Sequence, residues 1–243
     1  MHIRKVNDSA VRKHKEGMMN TAVIGFPRVG KLRELKFASE KYFRREISAK
    51  ELLKVAADLR RIHWSTQKNA GIDYISCNDF SHYDMVLDTA VLLGIVPKRY
   101  RELGLSELDT YFAMARGYQG KSGDVKALAM KKWFNTNYHY IVPEVEDDTV
   151  ISLSGNKIWD EYEQAKSLGI ETKPVVVGAY TMLKLCRYMG SRTAVDYVDD
   201  IVMAYCDLLR RCEENQITWI QLDEPALVQE DRKSTRLNSS HLT

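Results

Sequence analysis

The run from Met130 to Glu144 concentrates the side chains best suited to holding a polar ligand. It carries Lys131, Lys132, the amides of Asn135 and Asn137, His139, and the rings of Trp133, Phe134, Tyr138 and Tyr140. This mixture is too polar for a core strand and too aromatic for an ordinary solvated loop. It fits the wall of a site, and it fits as well a packed aromatic ribbon with solvated lysines, since aromatics usually report burial. A second group lies upstream, where Arg33 and Lys36 stand three residues apart in the first turn of an expected helix. Side chains at that spacing share a helix face, and the amides and dipole of the turn add positive potential, so the group suits an anion. A solvated charged turn of Arg33, Glu34 and Lys36 is the commoner fate of such a triplet. Two more polar clusters, Asn78 to Asp84 and Asp223 with Glu224, each follow an apolar run. The glycine-rich stretch 117–123 reads as a loop holding Lys121 but lacks the G-x-x-x-x-G-K-[ST] spacing of a phosphate loop, so no nucleotide site is inferred.

The elements that must position these groups alternate along the chain. Short apolar runs at 21–25, 72–76, 149–153, 174–178 and 217–222 read as strands. Helical patterns cover 33–45, 48–68, 83–93, part of 98–125, 158–168, 180–188 and 193–213, the second opening with a Ser48–Glu51 capping box. On the last helix the expected buried face is Val195, Val198, Val202, Tyr205, Leu209 and Cys212. Nearly all-apolar strands alternating with amphipathic helices mean a parallel sheet covered on both faces. Polar clusters recur at strand carboxyl ends, which is the habit of a (β/α)8 TIM-type barrel. About five or six units are expected, short of the eight a complete barrel needs, so the α/β barrel is expected to be incomplete. A doubly wound sheet is disfavoured because the first βα turn is not G-x-G-x-x-G.

A chain of 243 residues, 44% hydrophobic and 28% charged, suffices for one large domain with a substantial core. Its 36 basic and 33 acidic residues are interleaved and leave a net charge of +3, so no nucleic-acid or membrane partner follows from charge. Cys77, Cys186, Cys206 and Cys212 have no C-x-x-C spacing and are expected to be reduced core thiols of a cytoplasmic protein, without a metal site. No apolar run approaches the ~20 residues that span a bilayer. The basic stretch 1–18 reads as a non-native or disordered leader ahead of a start at Met19, and 231–243 as a non-native tail with a native disordered linker as the alternative, leaving 19–230 as the domain.

The run at Lys132 resembles the K-W-F-D-T-N-Y-H-Y-I-V-P-E signature of the N-terminal domain of cobalamin-independent methionine synthases. So do Gly25-Phe26-Pro27-Arg28-Val29-Gly30, Arg33-Glu34-Leu35-Lys36, Asn78 to Asp84, Lys173-Pro174-Val175 and Trp219 to Pro225, in the family's order. The resemblance implies transfer of a methyl group from 5-methyltetrahydropteroyltriglutamate to homocysteine, whose thiol is held as thiolate on zinc. It also implies that the zinc ligands and the catalytic groups belong to a second, C-terminal barrel absent from this chain. Arg33, Glu34, Leu35, Lys36 and Lys132 fall on the positions it assigns to the folate and its glutamate tail. Asn137, His139, Asp223 and Glu224 are weaker substrate-site candidates. Asn135 stands where the family usually has Asp, and Lys131 where Thr is common, which leaves tail binding intact but alters the loop's hydrogen bonds. The reading requires cations from two distant places to meet at one rim. Two other readings stay open: a stand-alone module for an acidic small molecule, and a related zinc-thiol methyltransferase or decarboxylase barrel.

Overall fold

The computed structural model describes residues 20–229, so the expected leader and tail lie outside the described residues. In chain order, α1 (Glu34–Phe43) and α2 (Ala49–Asn69) precede β1 (Ile75–Cys77). Then come α3 (Met85–Leu92), α4 (Lys98–Arg101), α5 (Glu107–Arg116), and two hairpins, β2 (Tyr118–Gly120) with β3 (Gly123–Val125) and β4 (Met130–Lys132) with β5 (His139–Ile141). After β6 (Glu144–Val145) follow α6 (Lys157–Ser167), β7 (Thr172–Val177), α7 (Ala179–Leu185), β8 (Arg187–Tyr188), α8 (Val198–Glu214) and β9 (Gln221–Asp223).

The main sheet is parallel, ordered β1-β7-β9, and Ala22 adds a parallel bridge to Tyr74 beyond β1. Four parallel positions thus follow chain order. The mixed α/β class stands, and among the described residues no closed barrel is formed. Alternation and register put Lys173, Val175, Val177, Gln221 and Asp223 on one face. Ile75, Cys77 and Val176 sit in the larger apolar core with Trp64, Trp159, Tyr162 and Ile201. A second core joins Leu35, Leu52 and Leu59 to Phe112 and Met114.

Three expectations change. The apolar run 149–153 is no strand: Ser152 N donates to Leu93 O at 3.1 Å and Ser154 N to Leu92 O at 2.6 Å, so the end of α3 takes up the amides a sheet would have used. The glycine-rich stretch near 117–123 is a hairpin, not a loop. On α8 the buried stripe is Ile201, Ala204, Tyr205, Leu208 and Cys212, while Val198, Val202 and Leu209 face outward, as does Val195 in the turn before the helix. The helix carries apolar residues on two faces, and periodicity alone does not say which meets the sheet. Cys206 is consequently exposed rather than in the core, whereas Cys77 and Cys212 are buried.

Candidate functional site

The cationic group ahead of α1 is organised by a glycine turn. Gly30 has φ +85°, and a Cβ there would strike the Glu34 carboxylate and Leu59. Glu34 folds back so that Oε2 accepts from Leu32 N at 3.0 Å, and Leu35 N donates to Val29 O at 3.2 Å. Arg33 precedes the helix in a left-handed conformation, φ 63°, so it does not share a helix face with Lys36 as its spacing suggested. Leu35 is 3% exposed and its side chain belongs to the core. Arg33 is exposed, and among the described residues Lys36 reaches only its helix neighbour Glu40 at 3.6 Å. Among the described residues the Glu34 and Lys36 amides have no acceptor, which leaves donors directed out of the helix start.

The aromatic run folds as the β4–β5 hairpin. Lys132 stands opposite His139, both exposed, and Lys131 opposite Tyr140, which is buried. Trp133 N donates to Tyr138 O at 2.7 Å, and Thr136 N to Trp133 O at 3.1 Å, closing the tip. His139 Nδ1 lies 3.1 Å from the carbonyl of exposed Asn137. Trp133 packs edge-on against Phe134 and Tyr140, with ring centroids 5.0 and 6.1 Å apart. Part of the run is therefore core and part is outward polar surface.

Both segments dock on one turn at the carboxyl end of β1. Arg28, in the loop leading to Arg33, donates to the Tyr83 carbonyl. Asp84 is 1% exposed and caps α3 by accepting from Leu87 N at 2.9 Å. The same carboxylate accepts from Ile141 N at 3.1 Å and from the Tyr138 hydroxyl at 2.9 Å. The Tyr111 hydroxyl accepts from Tyr83 N at 3.0 Å and Asp84 N at 3.2 Å, and donates to Asp88 at 2.6 Å. Burial holds the Asp84 carboxyl above its usual range against these hydrogen bonds. Burial first, and the Asp84 charge second, push the Tyr138 hydroxyl up to about 12. Lys132 and His139 are brought side by side; no hydrogen bond or ion pair joins them to Arg33 or Lys36. Sequence reasoning missed Arg28, Tyr111 and Tyr138 as organisers. Only the helix cap at Asp84 had a local signal, an acidic residue just before an apolar run.

Asp223 and Glu224 are engaged within the fold. Gln221 Nε2 donates to Asp223 at 2.8 Å and to Ile24 O at 3.2 Å, and Lys173 Nζ donates to Val23 O at 3.1 Å, so this face holds the first segment of the described chain. Burial raises the Asp223 carboxyl and lowers the Lys173 ammonium from their ordinary values. Glu224 accepts from Tyr180 N at 3.0 Å, Thr181 N at 2.8 Å and Thr181 Oγ1 at 2.6 Å, capping α7 rather than a helix after its own strand. Among the described residues no group of three or more His, Cys, Asp and Glu side chains is placed to hold a metal ion, so the described residues offer no donor set for zinc. Also among the described residues, no helix is long and apolar enough to cross a membrane.

The family description "Cobalamin-independent synthase, N-terminal domain" matches residues 20–241. Similar curated proteins include the 5-methyltetrahydropteroyltriglutamate–homocysteine methyltransferase of Streptococcus thermophilus, 55% identical over 223 residues, which are 90% of this chain and 30% of the relative. The protein of that name from Streptococcus suis is 55% identical over 212 residues, 87% of this chain and 28% of the relative. Its counterpart from Campylobacter jejuni subsp. doylei is 53% identical over 210 residues, 86% of this chain and 28% of the relative. The chain thus spans under a third of the length of these relatives. On the extent of both matches, it belongs to the cobalamin-independent methionine synthase family, within the N-terminal domain.

Proposed function

We propose that this chain supplies the folate side of a cytoplasmic methyltransferase that moves the methyl group of 5-methyltetrahydropteroyltriglutamate to homocysteine. Arg33, Lys36 and Lys132 grip the γ-linked carboxylates of the tail, and the amides at the start of α1 add donors. Glu34 and Leu35 shape that start, one by folding over Gly30 and the other by anchoring the helix in the core. Asn137 and His139 border the same hairpin surface as Lys132. One observation carries the reading: the loop before α1 and the lysine-bearing hairpin are hydrogen-bonded to the same Tyr83–Asp84 turn. The four parallel positions in chain order support the first half of a (β/α)8 barrel, whose sites lie at strand carboxyl ends. Zinc and homocysteine are assigned to the remainder of the full-length protein, since thiolate activation needs a donor set that the described residues do not assemble.

Titration of the chain with mono- and triglutamyl 5-methyltetrahydrofolate tests this. The triglutamyl form should bind about tenfold tighter. Lys36→Ala and Lys132→Ala should each lower triglutamyl affinity by about three- to tenfold, leaving the monoglutamyl form unchanged. Raised salt should narrow the difference, because exposed charges are screened. Indifference to tail length would refute the tail role and favour a general module for acidic small molecules. Supplied with zinc and both substrates, the chain alone should make no methionine.

A further inference from the structure

The β4–β5 hairpin has strands of three residues each and exposes Met130, Lys131 and Lys132, so its own hydrogen bonds do not fix where Lys132 stands. Its place is set from outside by one carboxylate. Asp84 Oδ2 takes the Ile141 amide at the base of β5, and Oδ1 takes the Tyr138 hydroxyl beside the tip, so the Lys132–His139 pair lies between two anchors on one side chain. Asp84 is itself immobilised, through Leu87 N at Oδ2 and through its own amide on Tyr111. Tyr138 is 39% exposed, and its hydroxyl reaches inward for Asp84.

We propose that Asp84 and Tyr138 are positioning residues that hold Lys132 and His139 in register with the polyglutamate tail. The proposal rests on the tail-binding reading above. Tyr138→Phe removes one hydroxyl and leaves the ring, so it is the cleaner variant; Asp84→Asn removes the charge and puts an amide N–H₂ where one acceptor oxygen stood. Isothermal titrations with mono- and triglutamyl 5-methyltetrahydrofolate compare the parent, Tyr138→Phe, Asp84→Asn, Lys132→Ala and the Tyr138→Phe/Lys132→Ala double variant. Tyr138→Phe should weaken triglutamyl binding about fivefold, with the monoglutamyl form within about twofold, and Asp84→Asn should weaken it at least as much. In the Lys132→Ala background Tyr138→Phe should add almost nothing, because the lysine it positions is gone. If Lys132→Ala weakens binding and Tyr138→Phe does not, the positioning role is wrong and tail binding stands. Equal losses for both tail lengths with a lowered Tm would make the bond merely structural and overturn the proposal. If Lys132→Ala has no effect, the tail reading fails and takes this one with it.

Discussion

Leu35 and Lys36 are neighbours with opposite duties. Leu35 is enclosed by α2 and the Phe112 core, and Leu35→Ala should cost about 2–5 kcal/mol in a urea titration. Lys36 makes a half-exposed pair with Glu40, and Lys36→Ala should change stability by less than about 0.5 kcal/mol while weakening tail binding. His82 gives a pH signature. Its ring stands edge-on to Phe80 and Phe112 at 6.0 and 6.2 Å, and its buried Nδ1 has no hydrogen-bond partner among the described residues. Burial lowers its pKa to about 4; Asp88 opposes this, and Lys157, Arg60 and Arg28 add to it. The folded-state value lies below the ordinary 6.5, so the stability from neutral His82 is full above that pH and is lost as pH falls toward about 4. Between pH 7 and 5 this one group should account for about 2 kcal/mol of lost stability. His82→Phe should flatten the urea midpoint against pH by that amount. Asp84, held above its usual value by burial, acts in the opposite sense and is common to both proteins.

At the scale of elements, local signals were legible and distant partners were not. The Ser48–Glu51 capping box forms as spelled, with Ser48 N donating to Glu51 at 2.7 Å, because every atom it needs lies within four residues. The sequence pattern places the start of α1 one residue early, since a left-handed arginine leaves no mark that separates it from a helical one. Residues 149–153 have strand chemistry, yet the carbonyls at the end of α3 capture their amides. Glu224 was legible as a cap, but its helix was not: α7 begins more than forty residues earlier in the chain. Glu224→Ala should lower stability by about 1–2 kcal/mol, measured as a fall in Tm, because it strips the α7 start of its acceptor. The candidate site divides in the same way. The aromatic-lysine run and the Arg33–Lys36 group stood out by composition, while the turn that receives both depends on hydroxyl and carboxylate contacts across some 27 to 57 positions.

For the whole molecule, the alternation of apolar runs and helices was sufficient to give the α/β class and parallel strands, because that pattern is carried by every segment. Closure of the sheet is a property of strand number rather than of any one segment, and the expectation of an incomplete barrel rests on counting units. The four cysteines make the packing measurable. Cys206 is exposed, while burial pushes the Cys186 thiol up to about 12 and Cys212 up to about 11, and Cys77 is raised further still. One thiol per native chain should therefore react promptly with a disulfide reagent at pH 8, and four after denaturation. Prompt reaction of the Cys212 thiol as well would mean that α8 does not seat its Cys212 face on the sheet. The triple use of Asp84 also bears on folding. Its carboxylate joins β5 to α3 across 57 positions, so the Ile141 amide cannot leave it without taking a hydrogen-bond donor from a buried acceptor. In native-state hydrogen exchange that amide should be among the last to trade its proton, at a free energy near that of global unfolding, although it sits in a two-stranded hairpin whose tip exchanges at once.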